Sequence, residues 1–359
     1  MSERSQISLE ELQLAARNHG MALEALRYDL TPVGLHYLLI HYDIPAVDPS
    51  TWRLQFGGTV AQPSSFSLED LSALPRASIP VTMECAGNGR ALLEPRPVSQ
   101  PWLLEAVGTA EWAGTPLVAL LDRVGVDPDT VELVFTGLDR GVEGGEEQTY
   151  ARSLPLAECR REEVLLADEI NGAPLPPQHG APLRLLVPGW YGMTSVKWLG
   201  RIDAVSEQFR GYQNERGYRF RRDDDDPGEP VTRIVPRALI EPPGIPEFMT
   251  RARLLPPGRT VLRGRAWSGR APIERVEVSV DDGHEWRPAT VGAAPSPWAW
   301  HSWRFAWDAP EGDHLLQVRA TDALGTKQPD QPGWNVGGYS NNAPHRVPVT
   351  VRAGVLVGA

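Results

Sequence analysis

The stretch "VTMECAGNGR" (81–90) decides how this 359-residue chain reads. Ile79, Val81, Met83 and Cys85 fall on one side of an alternating run, and Thr82 and Glu84 on the other, the period of a strand. Ala-Gly-Asn-Gly then stops it. A thiol therefore stands at a strand end, at the mouth of a glycine turn, in a chain whose one other cysteine is Cys159. Three readings compete for Cys85: a small buried hydrophobe, a nucleophile activated by a histidine, and a soft metal ligand. Gly87 and Gly89 let the backbone approach a partner closely, and Arg90 adds a fixed cation with a fork of donors. That setting suits a thiolate and an anionic cofactor better than a core.

Outward from this turn, residues 1–235 mix short helices and short strands. "SLEELQLAARNHGMALEAL" reads as helical, opened by Ser8. "SLEDLSAL" carries Ser67 with Asp70 three places on, a helix-start pattern. "TPLVALLDRVGV" places Pro116 in a first helical turn. "TWRLQFGGTV", "VELVFTGLD" and "APLRLLVPG" read as strands, and "EVLLADEINGAPLP" as a strand entering an Asn-Gly turn. With no βαβ repeat and no glycine fingerprint, this is an irregular α+β domain rather than a Rossmann fold. "RRDDDDPGEPVTRIVP" reads as a solvated linker, since consecutive aspartates such as Asp223 to Asp226 rarely converge on one ion.

Residues 236–359 change character. Val276, Val278 and Val280 alternate, as do Trp303, Phe305 and Trp307, and Leu316, Val318 and Ala320. Short alternating strands with frequent turns predict an immunoglobulin-like β-sandwich. Seven of the 12 tryptophans lie beyond residue 236, and this apolar excess predicts a dimer surface there.

Composition narrows the function. A net charge of -11 argues against nucleic-acid or anionic-membrane partners. No apolar run is long enough to span a bilayer, and the polar N-terminus does not read as a secretory signal, so a cytoplasmic location is expected, with a periplasmic one left open. Two cysteines make no disulfide framework, no multi-cysteine zinc site and no iron–sulfur set. On their own, His179 after two prolines reads as a loop histidine, and Lys197 beside Trp198 as a surface lysine.

"VTMECAGNGR" closely resembles the cysteine motif of the sulfite oxidase family of molybdenum enzymes, which includes the eukaryotic assimilatory nitrate reductases. "STWRLQFGG", "FTGLD", "LLADEINGAPLPPQHGAPLRLLVPG" and "TSVKWLGRI" resemble further family segments in the family's order. "GRAWSG", "ERVEVSVDDGHEW", "WAWHSWRF" and "NNAPHRVPV" resemble its dimerisation domain. The resemblance implies a molybdopterin-binding domain followed by a dimerising sandwich, and a molybdenum–molybdopterin cofactor without haem. Cys85 would be the one protein ligand to the metal. His41, Tyr42, Asp139, His179, Arg184, Ser195, Val196 and Lys197 match cofactor-holding positions, and Arg90, His41 and Tyr218 match catalytic ones. Tyr212 is the substitute for Tyr218 if the spacing differs. Trp102 and Trp112 read as packing.

The chain departs from the family pattern where arginines are expected. His41, Gly89 and Gly337 stand at such positions, which removes fixed positive charge from the substrate pocket. The reading is a sulfite-oxidising enzyme with a small anionic substrate, an external electron acceptor such as a cytochrome, and a homodimeric state. Reduction of an S- or N-oxide is the alternative, and a non-catalytic binding module the reading from another class.

Overall fold

The computed structural model describes residues 7–355. The alternating run forms a strand, Ala77–Glu84, antiparallel to Val107–Pro116. That strand pairs in turn with Leu165–Ile170, which also pairs with Arg184–Leu186. The Asn-Gly turn forms as predicted, with Asn171 and Gly172 at φ 50° and 75° joining Leu165–Ile170 to Ala173–Pro174. Thr82 and Glu84, on the opposite side of the strand, are buried too. The second domain covers that face: the Thr82 N–H donates to the Trp298 carbonyl, and the Trp267 indole N–H to Glu84.

A second sheet runs in the order Ser64–Phe66, Leu54–Gly58, Leu199–Val205, Glu132–Glu143, Glu146–Pro155. Leu54–Gly58 lies parallel to Leu199–Val205 and the other pairs are antiparallel. Its core, with Phe56, Phe135, Leu154 and Ile202, also takes in Leu166 and Leu185 from the first sheet, and Leu183 just before its last strand. Helix Leu117–Val124 adds Leu117, Leu120, Leu121 and Val124, the spacing of one helical face. Pro116 caps this helix instead of lying in its first turn, because the preceding strand runs directly into it.

Helices Leu9–Arg17 and Leu68–Ser72 begin at Ser8 and Ser67 with the reciprocal bonds to Glu11 and Asp70 that satisfy otherwise unpaired N–H groups. The predicted longer N-terminal helix stops at Arg17. The Asn18 side chain is taken by the Ile40 N–H and the Gln100 amide, and a Cβ at Gly20 would lie 2.5 Å from that of Glu105.

The sandwich packs the sheet Arg237–Ile240, Gly258–Trp267, His301–Ala309, Thr290–Val291 on a six-stranded sheet that includes Ile273–Ser279, Gly312–Asp322 and His345–Val351. The alternating residues face its core as predicted, except that Val280 is half-buried. Trp303 and Trp307 lie inside it, and Trp267 and Trp300 in a separate core at the domain junction. These four tryptophans are therefore not surplus surface; the exposed apolar side chains of this domain include Phe248 and Met249.

The predicted linker is an ordered part of the fold. Arg219–Phe220 pairs with Glu229–Pro230, and Val231 and Ile234 are buried in the junction core beside Met21, Leu26, Tyr191, Leu239 and Trp300. The aspartates form the turn between the two strands, where Asp226 accepts the Arg222 and Gly228 N–H groups, and these bonds hold its carboxyl down at about 2. Among the described residues no three His, Cys, Asp or Glu side chains converge as a metal cluster, and no helix is long and apolar enough to cross a membrane.

Candidate active site

Cys85 ends its strand with its N–H on the Ala106 carbonyl. The chain then turns through Gly89 at φ 90°, a left-handed conformation that favours glycine. Buried Asn88 braces the turn, donating to Glu84 at 3.0 Å and accepting the Ala106 N–H at 3.1 Å. The Arg90 guanidinium packs on Gly87, where a Cβ would sit 2.6 Å from Nη2. It donates to the Gly337 carbonyl at 2.7 Å and the Gln100 carbonyl at 3.2 Å, and lies over the Tyr339 ring. Burial pushes the Cys85 thiol up, opposed by Arg90, the Gly87 N–H and the Trp102 indole.

Two cavities meet at this thiol, and His41, Leu39 and Cys85 line both. The inner cleft is walled by His36, His179, Arg184, Ser195, Val196, Lys197 and Asp139. The loop and surface readings of His179 and Lys197 are thereby overturned. Lys197 donates to the Leu39 and Gln178 carbonyls at 2.7 and 3.2 Å. Arg184 donates to the His179 and Ser195 carbonyls, both at 3.0 Å, and lies over Trp112. Asp139 sits where the Glu132–Glu143 strand loses register with its neighbour, an irregularity of the kind that re-aims a side chain.

Burial sets the electrostatics of the cleft. It pulls Lys197 down to about 7 and Arg184 to about 10, holds His36 at about 4 and His179 at about 2, and raises Asp139 to about 6. Among the described residues, neither Arg184 nor Lys197 has a carboxylate within ion-pair distance, and His36 Nε2 is buried without a hydrogen-bond partner. A buried cation without a counter-ion is costly, so the cleft is chemically matched to an anion. A soft thiol at its end, among nitrogen donors, fits a phosphate-bearing cofactor that carries a soft metal.

The outer pocket is walled by His41, Arg90, Trp102, Tyr212, Gln213, Tyr218 and Tyr339. Tyr218 is buried and its hydroxyl lies 2.5 Å from His41 Nε2, whereas Tyr212 is half-buried against Gly144. The inward tyrosine is thus Tyr218. The His41 ring lies 4.7 Å from that of Tyr150, and burial, with Lys197, Arg152 and Arg90 nearby, holds it at about 3. His41 is therefore held neutral and supplies no charge where the resemblance expects an arginine. Gly337 offers a carbonyl to Arg90 where a further cation was expected. Trp102 is a pocket wall as well as packing.

The structure brings all the sequence-selected residues to one of the two cavities except Tyr42. Its hydroxyl donates to Glu143 at 2.7 Å and accepts from Gln213 at 3.1 Å, outside the inner cleft. Sequence reasoning missed His36, Tyr150, Arg152 and Tyr339. Only the alternation of Tyr150 and Arg152 on one strand gave any signal.

Fold and site together present one thiol between a cleft lined by buried cations and an aromatic pocket, the setting of a protein that holds an anionic cofactor. Residues 41–213 match the oxidoreductase molybdopterin binding domain and residues 243–352 the Mo-co oxidoreductase dimerisation domain. The chain is 36% identical to mitochondrial sulfite oxidase of Homo sapiens, covering 90% of this chain and 62% of that protein. It is 34% identical to sulfite oxidase of Gallus gallus, covering 88% and 72%, and 31% identical to the NADH nitrate reductase of Solanum lycopersicum, covering 90% and 38%. The sulfane dehydrogenase SoxCD from Paracoccus pantotrophus superposes with a TM-score of 0.80 at 25% identity, covering 98% of this chain and 94% of that one. The chain belongs to the sulfite oxidase family of molybdopterin-dependent oxidoreductases, and it spans about three-fifths of the length of its human relative.

Proposed function

We propose that the protein oxidises sulfite to sulfate, taking the added oxygen from water, releasing two protons and passing two electrons to a separate acceptor. The observation that carries this reading is the position of Cys85, where a cation-lined cleft meets a pocket bearing Arg90 and Tyr218. Cys85 would hold the metal. Arg184 and Lys197 would hold the anionic end of the cofactor, with His36 and His179 as the nearest neutral donors. When bound, the molybdenum centre supplies two-electron oxygen-atom transfer, and the thiolate helps to set its potential. The chain's own residues orient the substrate: Arg90 offers the N–H groups left free by Gly337 and Gln100, and the Tyr218 hydroxyl donates beside it. Charged hydrogen bonds of this kind contribute about 1.5–3 kcal/mol each.

The dimerisation domain is read as pairing two copies, and the acceptor as a cytochrome or small one-electron carrier in the cytoplasm. Reduction of an uncharged oxide, such as a sulfoxide, is the second reading. It is favoured by the neutral His41 and by the Gly337 carbonyl, which leave the pocket short of fixed charge. Molybdenum content of the purified protein, measured with steady-state rates of sulfite oxidation and of sulfoxide and nitrate reduction, separates them. Metal-loaded protein that reduces a sulfoxide and leaves sulfite untouched would replace the first reading by the second, and metal-free protein from a cofactor-competent host would support a binding module.

A further inference from the structure

Arg152 lies on the strand Glu146–Pro155, facing inward two residues after Tyr150. It is 3% exposed, and among the described residues no carboxylate stands within ion-pair distance of it. One of its N–H groups donates to the Gln213 carbonyl, at the start of the turn that delivers Tyr218, while Nε has no partner. The guanidinium lies 5.5 Å from the Tyr218 ring centre. Tyr218 in turn lies 5.3 Å from the Tyr339 ring, and Arg90 lies 5.3 Å from Tyr339 on its own account. Two aromatic rings at the pocket wall are thus each stacked against a buried arginine.

Holding a guanidinium out of water without a counter-ion is unfavourable unless something it faces gains from the charge. The faced group here is the tyrosine of the outer pocket, and a cation against the ring face polarises the hydroxyl toward donation. Resting on the reading of this site as an oxyanion pocket, we propose that Arg152 is a positioning residue that supplies the pocket's second fixed positive charge from behind the Tyr218 ring. The pocket then holds a sulfur oxyanion with Arg90 beside it and Arg152 beneath it. Arg152 stands in for the charge that His41 and Gly337 do not provide, and its bond to Gln213 fixes the turn on which Tyr218 is presented.

The test uses the whole purified protein and sulfate, the product dianion, as the probe. Sulfate affinity is measured by calorimetry, together with KM and kcat for sulfite, in wild type, Arg152→Lys, Arg152→Gln and Arg152→Met. Both neutral variants should lose about ten-fold or more in sulfate affinity, a change of roughly 1.4 kcal/mol. Sulfite KM should rise in parallel and kcat should change much less. Arg152→Lys, which keeps the charge, should recover most of the affinity. The proposal is overturned if a neutral variant binds sulfate as wild type does, if Arg152→Lys is as impaired as the neutral variants, or if kcat and the unfolding midpoint fall while sulfate affinity holds. Wild type that binds sulfate in this way but does not oxidise sulfite would overturn the sulfite reading and leave the role of Arg152 standing. If Arg152→Gln fails to fold, Arg152→Met, which fills the same buried space without a polar end, carries the comparison.

Discussion

Glu84 and Arg237 are both 1% exposed and stand 2.7 Å apart, one beside Cys85 and the other on the first strand of the sandwich. Their contact is a close charge pair and not an aligned hydrogen bond, since the Arg237 Nε–H points elsewhere. Replacing Arg237 by methionine removes the cation and strips its donors from the Asn88 and Asn341 carbonyls. Glu84 keeps two donors, Asn88 at 3.0 Å and Trp267 at 2.8 Å. Breaking a buried pair from one side costs about 3–5 kcal/mol, and the two surviving donors place the expected loss at the lower end of that range. Glu84→Gln should cost a similar amount by leaving Arg237 unpaired. The double variant should lose clearly less than the sum, by about 1.5 kcal/mol or more, because neither charge is then stranded. Urea unfolding followed by tryptophan fluorescence measures all four corners of this cycle. Single losses below about 1 kcal/mol, or strict additivity, would refute the view that this pair ties the cysteine turn to the sandwich.

Cys85→Ser should eliminate turnover and lower molybdenum content while the unfolding free energy moves by about 1 kcal/mol or less; full activity in this variant would remove Cys85 from the site. Because burial holds His41 at about 3, sulfite KM should show no inflection near pH 6.5 that His41→Arg abolishes, and pH profiles of the two proteins between 6 and 8 check this. His36, His41, His179 and His345 are buried and held at about 4, 3, 2 and 3, so between those values and ~6.5 the unfolded chain binds protons that the folded one does not. Stability should then fall with decreasing pH below ~6.5, by up to about 5.5 kcal/mol per pH unit for four protons, and a flat urea midpoint between pH 6.5 and 5 would contradict it. Lys197, pulled down to about 7 by burial, should regain its proton when an anion enters the cleft, so binding of pyrophosphate to cofactor-free protein at pH 8 should take up protons; equal binding heats in buffers of different ionisation enthalpy would show that it does not.

Local chemistry was the legible part of this sequence. Strand alternation, the glycine turn after Cys85, the Ser8 and Ser67 caps and the Asn171–Gly172 turn each depend on near neighbours, and each formed. What failed depended on distant chain. The side of the strand that carries Glu84 had no reading of its own, because nothing near it announces that Trp267 and Arg237 will cover it. The aspartate-rich segment looked like a tether because its charged turn hides Val231 and Ile234, which the junction core takes up. Among the site residues, Cys85 and Arg90 sit on the turn that gave them away. Arg152 has no local motif, and its meaning appears only when Tyr218 folds across it. The charge state of His41 depends on burial that a sequence does not display.

The Arg90 bond to Gly337 and the Asn341 bond to Gly89 join residues 247 and 252 positions apart. At ~5–20 residues per second, a ribosome needs about 12–50 s to travel from the cysteine turn to the loop that braces it. During that interval the turn has been synthesised but its guanidinium has only the Gln100 carbonyl and not that of Gly337, and its outer pocket has no Tyr339 wall. A finished site is therefore a certificate that synthesis has passed residue 341. A truncated product, however well its first sheet folds, would present the thiol in an unbraced turn, and premature capture of a costly metal cofactor is disfavoured by the order in which the residues are made.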